Sequence, residues 1–123
     1  MPMPIAHVTL AVRDLDRARR FFEGALGWRP IERPNNIPFP AAWLAIAPGQ
    51  ELHLIEREGF EPSAFELEYG RHVALTFPAD ALPALRERLE QHGALAFAAD
   101  RPTSFERFFF RSPDGYVFEV VAS

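Results

Sequence analysis

Along residues 7–12, HVTLAV, Val8, Leu10 and Val12 alternate with His7, Thr9 and Ala11, the period of a strand with one buried face. The period then lengthens. Leu15, Ala18, Phe22 and Ala25 recur at helical spacing, behind Asp14 as an N-cap and ahead of Gly27, where a C-cap glycine belongs. A short strand near WRPIE, then AAWLAIA and ELHLIE joined at Pro48–Gly49, complete a strand–helix–three-strand series.

The series then returns. In HVALTF, His72, Ala74 and Thr76 alternate with Val73, Leu75 and Phe77. Asp80 is the expected N-cap of a second helix carrying Leu82, Leu85 and Leu89, with Pro83 tolerated in its first turn and Gly93 closing it. His92, just before that glycine, complements the helix dipole and reads as structural. ALAFAA, ERFFFR and YVFEVV follow as strands, the last two joined by the turn sequence SPDG. The pattern predicts an α+β chain of two βαβββ modules, residues 1–58 and 71–123, joined by a loop-rich linker over 59–70. At 123 residues the whole is expected to form one domain.

The repeat aligns four ionisable side chains. His72 follows His7 by 65 residues, and Glu119, set in VFEVV, follows His53, set in LHLI, by 66. They are two pairs of equivalent positions, on the first and last strand of each module. A lone strand histidine is more often a core or surface residue than a ligand. A carboxylate between Phe118 and Val120 is harder to explain, because burying it unpaired costs several kcal/mol or more. Pseudo-symmetric modules would bring all four to a shared face, and three imidazoles with a carboxylate suit a divalent transition metal.

Strand pairing extends the candidate site. If SPDG forms a type I turn with a glycine bulge, Phe109 opposes Glu119, and Arg107, Arg111 and Val117 share that face. Another turn type would place Phe108 and Phe110 there instead. Thr9 and Thr76 share faces with His7 and His72, and the repeat puts Trp43 beside His53. Thr9, Trp43, Arg107, Phe109 and Arg111 are therefore the expected substrate-binding residues. Arginine could hold a carboxylate or phosphate through paired hydrogen bonds.

Composition narrows the chemistry. There is no cysteine, hence no disulfide, thiolate ligand or cysteine nucleophile. All 13 basic residues are arginine, which excludes Schiff-base chemistry on lysine. A net charge of −4 argues against nucleic acid as partner. No apolar run approaches the roughly 20 residues of a membrane span, and MPMPIAHV lacks the features of a secretion signal, so a cytoplasmic location is expected.

The stretches HVTLAVRDLDRARRFFEGALGW, ELHLIE, GRHVALTF and RSPDGYVFEVV resemble the vicinal oxygen chelate superfamily. That group includes glyoxalase I, extradiol dioxygenases, methylmalonyl-CoA epimerase, fosfomycin-resistance enzymes and bleomycin-binding proteins. The resemblance covers nearly the whole chain. It implies paired βαβββ modules in a curved mixed sheet around a metal pocket, with His7, His53, His72 and Glu119 at the four ligand positions. Glyoxalase I usually has glutamate where this chain has His53. The resemblance implies a zinc, nickel, cobalt, iron or manganese enzyme of lyase or isomerase type. Such an enzyme chelates vicinal oxygens of a small substrate and stabilises an enolate or oxyanion, with Glu119 as general base. An extradiol-type dioxygenase using His7, His72 and Glu119 is a second possibility, a non-catalytic antibiotic-binding protein a third, and a purely structural metal site a fourth. Single-chain members of this size usually dimerise. The 12 phenylalanines agree, with one of the adjacent Phe21 and Phe22 expected to cover a homodimer interface.

Overall fold

The computed structural model describes residues 4–123, so the N-terminal reading rests in part on residues outside the described ones. The chain divides into two compact units, one running to Phe60 and one from Glu61 to Ser123. In the first, β1 (His7–Val12), α1 (Leu15–Leu26), β2 (Arg29–Ile31), β3 (Ala41–Ala47) and β4 (Gln50–Glu56) follow in order. In the second, β5 (Val73–Phe77), α2 (Leu82–Gln91), β6 (Leu95–Phe97), β7 (Arg107–Arg111) and β8 (Val117–Ala122) repeat the series. Each unit builds a four-stranded mixed sheet of the same order, β1-β4-β3-β2 and β5-β8-β7-β6. The first and last strands of each unit run parallel and the other neighbours antiparallel. The two-module βαβββ architecture expected from the repeat is thus observed.

In the first unit, period-two alternation sends Leu10, Val12, Leu44, Leu52 and Leu54 inward, where α1 adds Ala18, Phe22 and Ala25. Asp14 caps α1 by accepting from the Arg17 N–H, and Gly27 ends it in the left-handed conformation at φ 74°. A second carboxylate reaches the same helix end: Glu56, on β4, accepts the Leu15 N–H at 2.9 Å. Phe21 and Phe22 are both buried, at 2% and 1% exposure, with rings edge to face. Neither is left at the surface to cover an interface, as the sequence had suggested.

One further expectation needs correction in the second unit. Asp80 does not cap α2. It lies in a 3₁₀ turn, Ala79–Ala81, that runs directly into the helix, whose N-cap is Ala81 without a side-chain bond. Had Asp80 been the cap, the third helical residue would be Pro83, which has no N–H to donate. The loop-rich segment expected as a linker groups, from residue 61 onward, with the second unit. Arg111 fastens it by donating to the carbonyls of Ser63 and Glu66, and to that of Gly115. At Gly115, φ is 99° and a Cβ would stand 2.7 Å from Pro62 Cγ, so turn and linker close on each other only with glycine there.

Candidate metal centre

In each unit the helix covers one sheet face, and the ionisable residues point to the other. The first unit places Trp43 opposite His53 on β3 and β4, with Thr9 of β1 on the other flank of His53. His7 shares the face of Thr9. The three rings stack: Trp43 on His53 at 3.8 Å with planes 10° apart, and His53 on His7 at 4.1 Å and 18°. Such contacts contribute about 0.5–1.5 kcal/mol beyond burial and restrict how the imidazoles turn. His53 Nε2 lies 2.9 Å from Oε1 of Glu51, a carboxylate the sequence reading did not single out.

In the second unit, Phe109 opposes Glu119, as the bulged-turn alternative required. The Ser112 N–H donates to the Tyr116 carbonyl and the Gly115 N–H to that of Ser112. Phe109 is fully buried. It stacks with Phe97 and meets the His72 ring edge to face.

His72 and Glu119 meet with a specific polarity. His72 Nδ1 lies 3.1 Å from the Gly70 carbonyl, which can only accept, so the contact favours the tautomer with the proton on Nδ1. In that tautomer the lone pair of Nε2 faces Glu119 Oε1, 3.2 Å away and also an acceptor. Two acceptors face each other stably only with a cation between them, either a second ring proton or a metal ion. Two donors in neighbouring positions of a six-coordinate ion, each about 2.1 Å from it, stand about 3 Å apart, so the residues present fit a divalent metal.

The other oxygen of Glu119 is taken. Arg107 Nη1 donates to Oε2 at 3.0 Å, while Nη2 donates to Glu68 Oε2 at 3.2 Å and to the Arg101 carbonyl at 2.6 Å. The Arg107 side chain is only 3% exposed and that of Glu68 7%. Burial alone would lower the pKa of Arg107, but its bonds to Glu119 and Glu68 outweigh that and raise it. For Glu68, burial pushes the carboxyl up. The N–H groups of Asp100 and Arg101, with Arg107 beside them, outweigh it and hold the pKa below the ordinary value.

The structure therefore joins His7 with His53 and His72 with Glu119; among the described residues no three His, Asp or Glu side chains gather as a metal-binding group. Arg107 and Arg111, expected to hold substrate, have their terminal nitrogens on the protein itself. Glu68 and Glu51 were missed. A trace of Glu68 was present in the linker: in FELEY the acidic residues alternate with apolar ones. The usual orientation is inverted, with Phe65, Leu67 and Tyr69 exposed and Glu68 buried.

Residues 4–120 match the Glyoxalase/Bleomycin resistance protein/Dioxygenase superfamily, and the chain belongs to that superfamily. It is similar to Glyoxylase I 4 of Arabidopsis thaliana, 27% identical over 120 residues, which cover 93% of this chain and 67% of that protein. A glyoxylase/bleomycin resistance protein/dioxygenase domain from Frankia is 25% identical, with a TM-score of 0.77 over 100% of this chain and 99% of that one. The fosfomycin resistance protein FosX of Listeria monocytogenes, solved with Mn(II) and dihydroxypropylphosphonic acid, is 22% identical with a TM-score of 0.77. That alignment covers 100% of this chain and 92% of FosX, and at this identity the likeness concerns the fold. No helix among the described residues is long and apolar enough to cross a membrane.

Proposed function

We propose that the protein is a metal-dependent enzyme of lyase or isomerase type acting on a small substrate with two adjacent oxygens. The observation that carries this reading is the approach of His72 Nε2 to Glu119 Oε1, 3.2 Å apart. His72 and Glu119 would hold the ion, and His7 and His53, the equivalent pair of the first unit, are the further ligand candidates. When bound there, the ion would supply Lewis acidity toward the substrate oxygens. Oε1 of Glu119 is the atom placed to take a substrate proton, because Oε2 is held by Arg107. Trp43 and Thr9, flanking His53, supply an aromatic face and a hydroxyl for substrate. The exposed row of Phe65, Leu67 and Tyr69 supports a homodimer, since an apolar row of this kind is commonly covered by a partner. Light scattering at micromolar concentration checks that reading, and a monomer refutes it.

Metal analysis of untagged protein, followed by a methylglyoxal–thiol assay, tests the proposal. Stoichiometric divalent metal, lost in H72A and in E119A, is the expected result. Absence of bound metal, with no rise in melting temperature on adding it, overturns the reading. A specific observation favours a second function: with Nε2 of His53 engaged by Glu51, the remaining candidates His7, His72 and Glu119 are the ligand set of an extradiol dioxygenase. H53A decides between them. A loss of 10–100-fold or more in metal affinity makes His53 a ligand. Unchanged affinity, with oxygen uptake by the ferrous protein on a catechol, makes the enzyme a dioxygenase.

A further inference from the structure

We propose that Glu68 is a positioning residue for Glu119, acting through Arg107 to keep Oε1 of Glu119 free to face His72. The inference rests on the reading of Glu119 and His72 as metal ligands. It starts from how Arg107 divides its bonds. A guanidinium meeting a carboxylate tends to grip both oxygens with two parallel N–H groups. Arg107 does not. Nη1 goes to Glu119 and Nη2 to Glu68, so one planar group is divided between two different carboxylates.

Glu68 can compete for Nη2 because it is itself immobile. Its Oε1 accepts the Asp100 N–H at 2.6 Å and its Oε2 the Arg101 N–H at 3.2 Å. Without the Glu68 charge, Nη2 keeps only the Arg101 carbonyl, and the guanidinium can swing to take both oxygens of Glu119. Oε1, the oxygen 3.2 Å from His72, would then be occupied. The same segment also holds the other half of the pair, since the Gly70 carbonyl lies 3.1 Å from His72 Nδ1. A Cβ on Gly70 would lie 2.7 Å from Glu66 Cβ, so the tight path from Glu66 to Gly70 depends on that glycine. The segment between the repeats thus orients both ligand candidates of its unit.

The test measures Zn²⁺ and Mn²⁺ affinity by calorimetry in the full-length protein. E68Q is nearly isosteric and is expected to bind about 10–100-fold more weakly. E66Q is expected to bind as the unaltered protein does, because the Glu66 side chain pairs with Arg71 and not with Arg107. The double variant E68Q/R107K is expected to recover affinity relative to E68Q, because an ammonium lacks the fork that takes two oxygens at once. A merely structural role for Glu68 would make the double variant worse. Should E68Q not fold, E68D, one methylene shorter, carries the same expectation. Unchanged affinity in E68Q, or no recovery in the double variant, overturns the proposal. If the unaltered protein binds no metal, the proposed function fails first. A double-mutant cycle of E68Q and E119Q under chelator then decides the link by itself, with coupling of about fivefold in the unfolding constant sustaining it and strict additivity overturning it.

Discussion

Replacing Glu56 by alanine is expected to destabilise the first unit although the residue lies at a strand end. Its Oε2 accepts the N–H of Leu15, the first residue of α1, across 41 positions of sequence. The first four N–H groups of a helix have no partner inside it. Asp14 satisfies the Arg17 N–H at 3.1 Å and Glu56 satisfies that of Leu15, so two carboxylates share the positive end of α1. A hydrogen bond to a charged group contributes about 1.5–3 kcal/mol, and a negative charge at a helix N-terminus about 0.3–1 kcal/mol. Both groups are only half-buried, so water replaces the lost acceptor in E56A and the net loss falls to about 1–2 kcal/mol. For a chain of this length each kcal/mol moves the melting temperature by about 3–6 °C, which makes a shift of about 3–12 °C. Urea and thermal denaturation followed by circular dichroism measure it. E56Q keeps the acceptor without the charge and should lose roughly half as much. A change in E56A within about 0.5 kcal/mol, the range of featureless surface substitutions, would refute the assignment.

The depressed carboxyl of Glu68 carries a pH signature: the unfolded chain takes up that proton first as pH falls. Its stabilisation is therefore complete above the ordinary carboxyl value and lost as pH drops through the lower folded one. E68Q should flatten that acid limb of a pH–stability curve, and an unaltered limb speaks against the assignment. Trp43 lies 3.8 Å from His53, so Co²⁺ or Ni²⁺ bound by His53 should quench its fluorescence, leaving the Trp28 emission of W43F unresponsive. Equal quenching with and without Trp43 would count against His53 as a ligand. G115A places a Cβ 2.7 Å from Pro62 at positive φ and should cost about 1–3 kcal/mol in denaturation; a neutral result would mean that the linker does not close on the turn.

Much of the fold was legible because it rests on periodicity and on local turn chemistry. The alternation in HVTLAV and HVALTF, the Asp14 and Gly27 caps and the SPDG turn each follow from a few neighbouring residues. From them came the order of elements along the chain and two pairings that the structure shows, Trp43 opposite His53 and, as one of two turn-dependent alternatives, Phe109 opposite Glu119. The parallel pairing of first with last strand in each module was not legible, because neither periodicity nor turn type says which non-consecutive strands become neighbours. Local reasoning failed at Asp80, where a 3₁₀ turn and Pro83 displaced the cap. The remaining failures concern the choice of charged partners. Nothing near Arg107 in sequence says that its guanidinium joins Glu119 to Glu68, which lies 39 positions away. Nor does anything near Glu56 announce Leu15. A charged side chain takes whichever opposite charge or free N–H the folded backbone brings within about 3 Å. That choice is absent from hydrophobic pattern and turn type, and only the tertiary structure makes it.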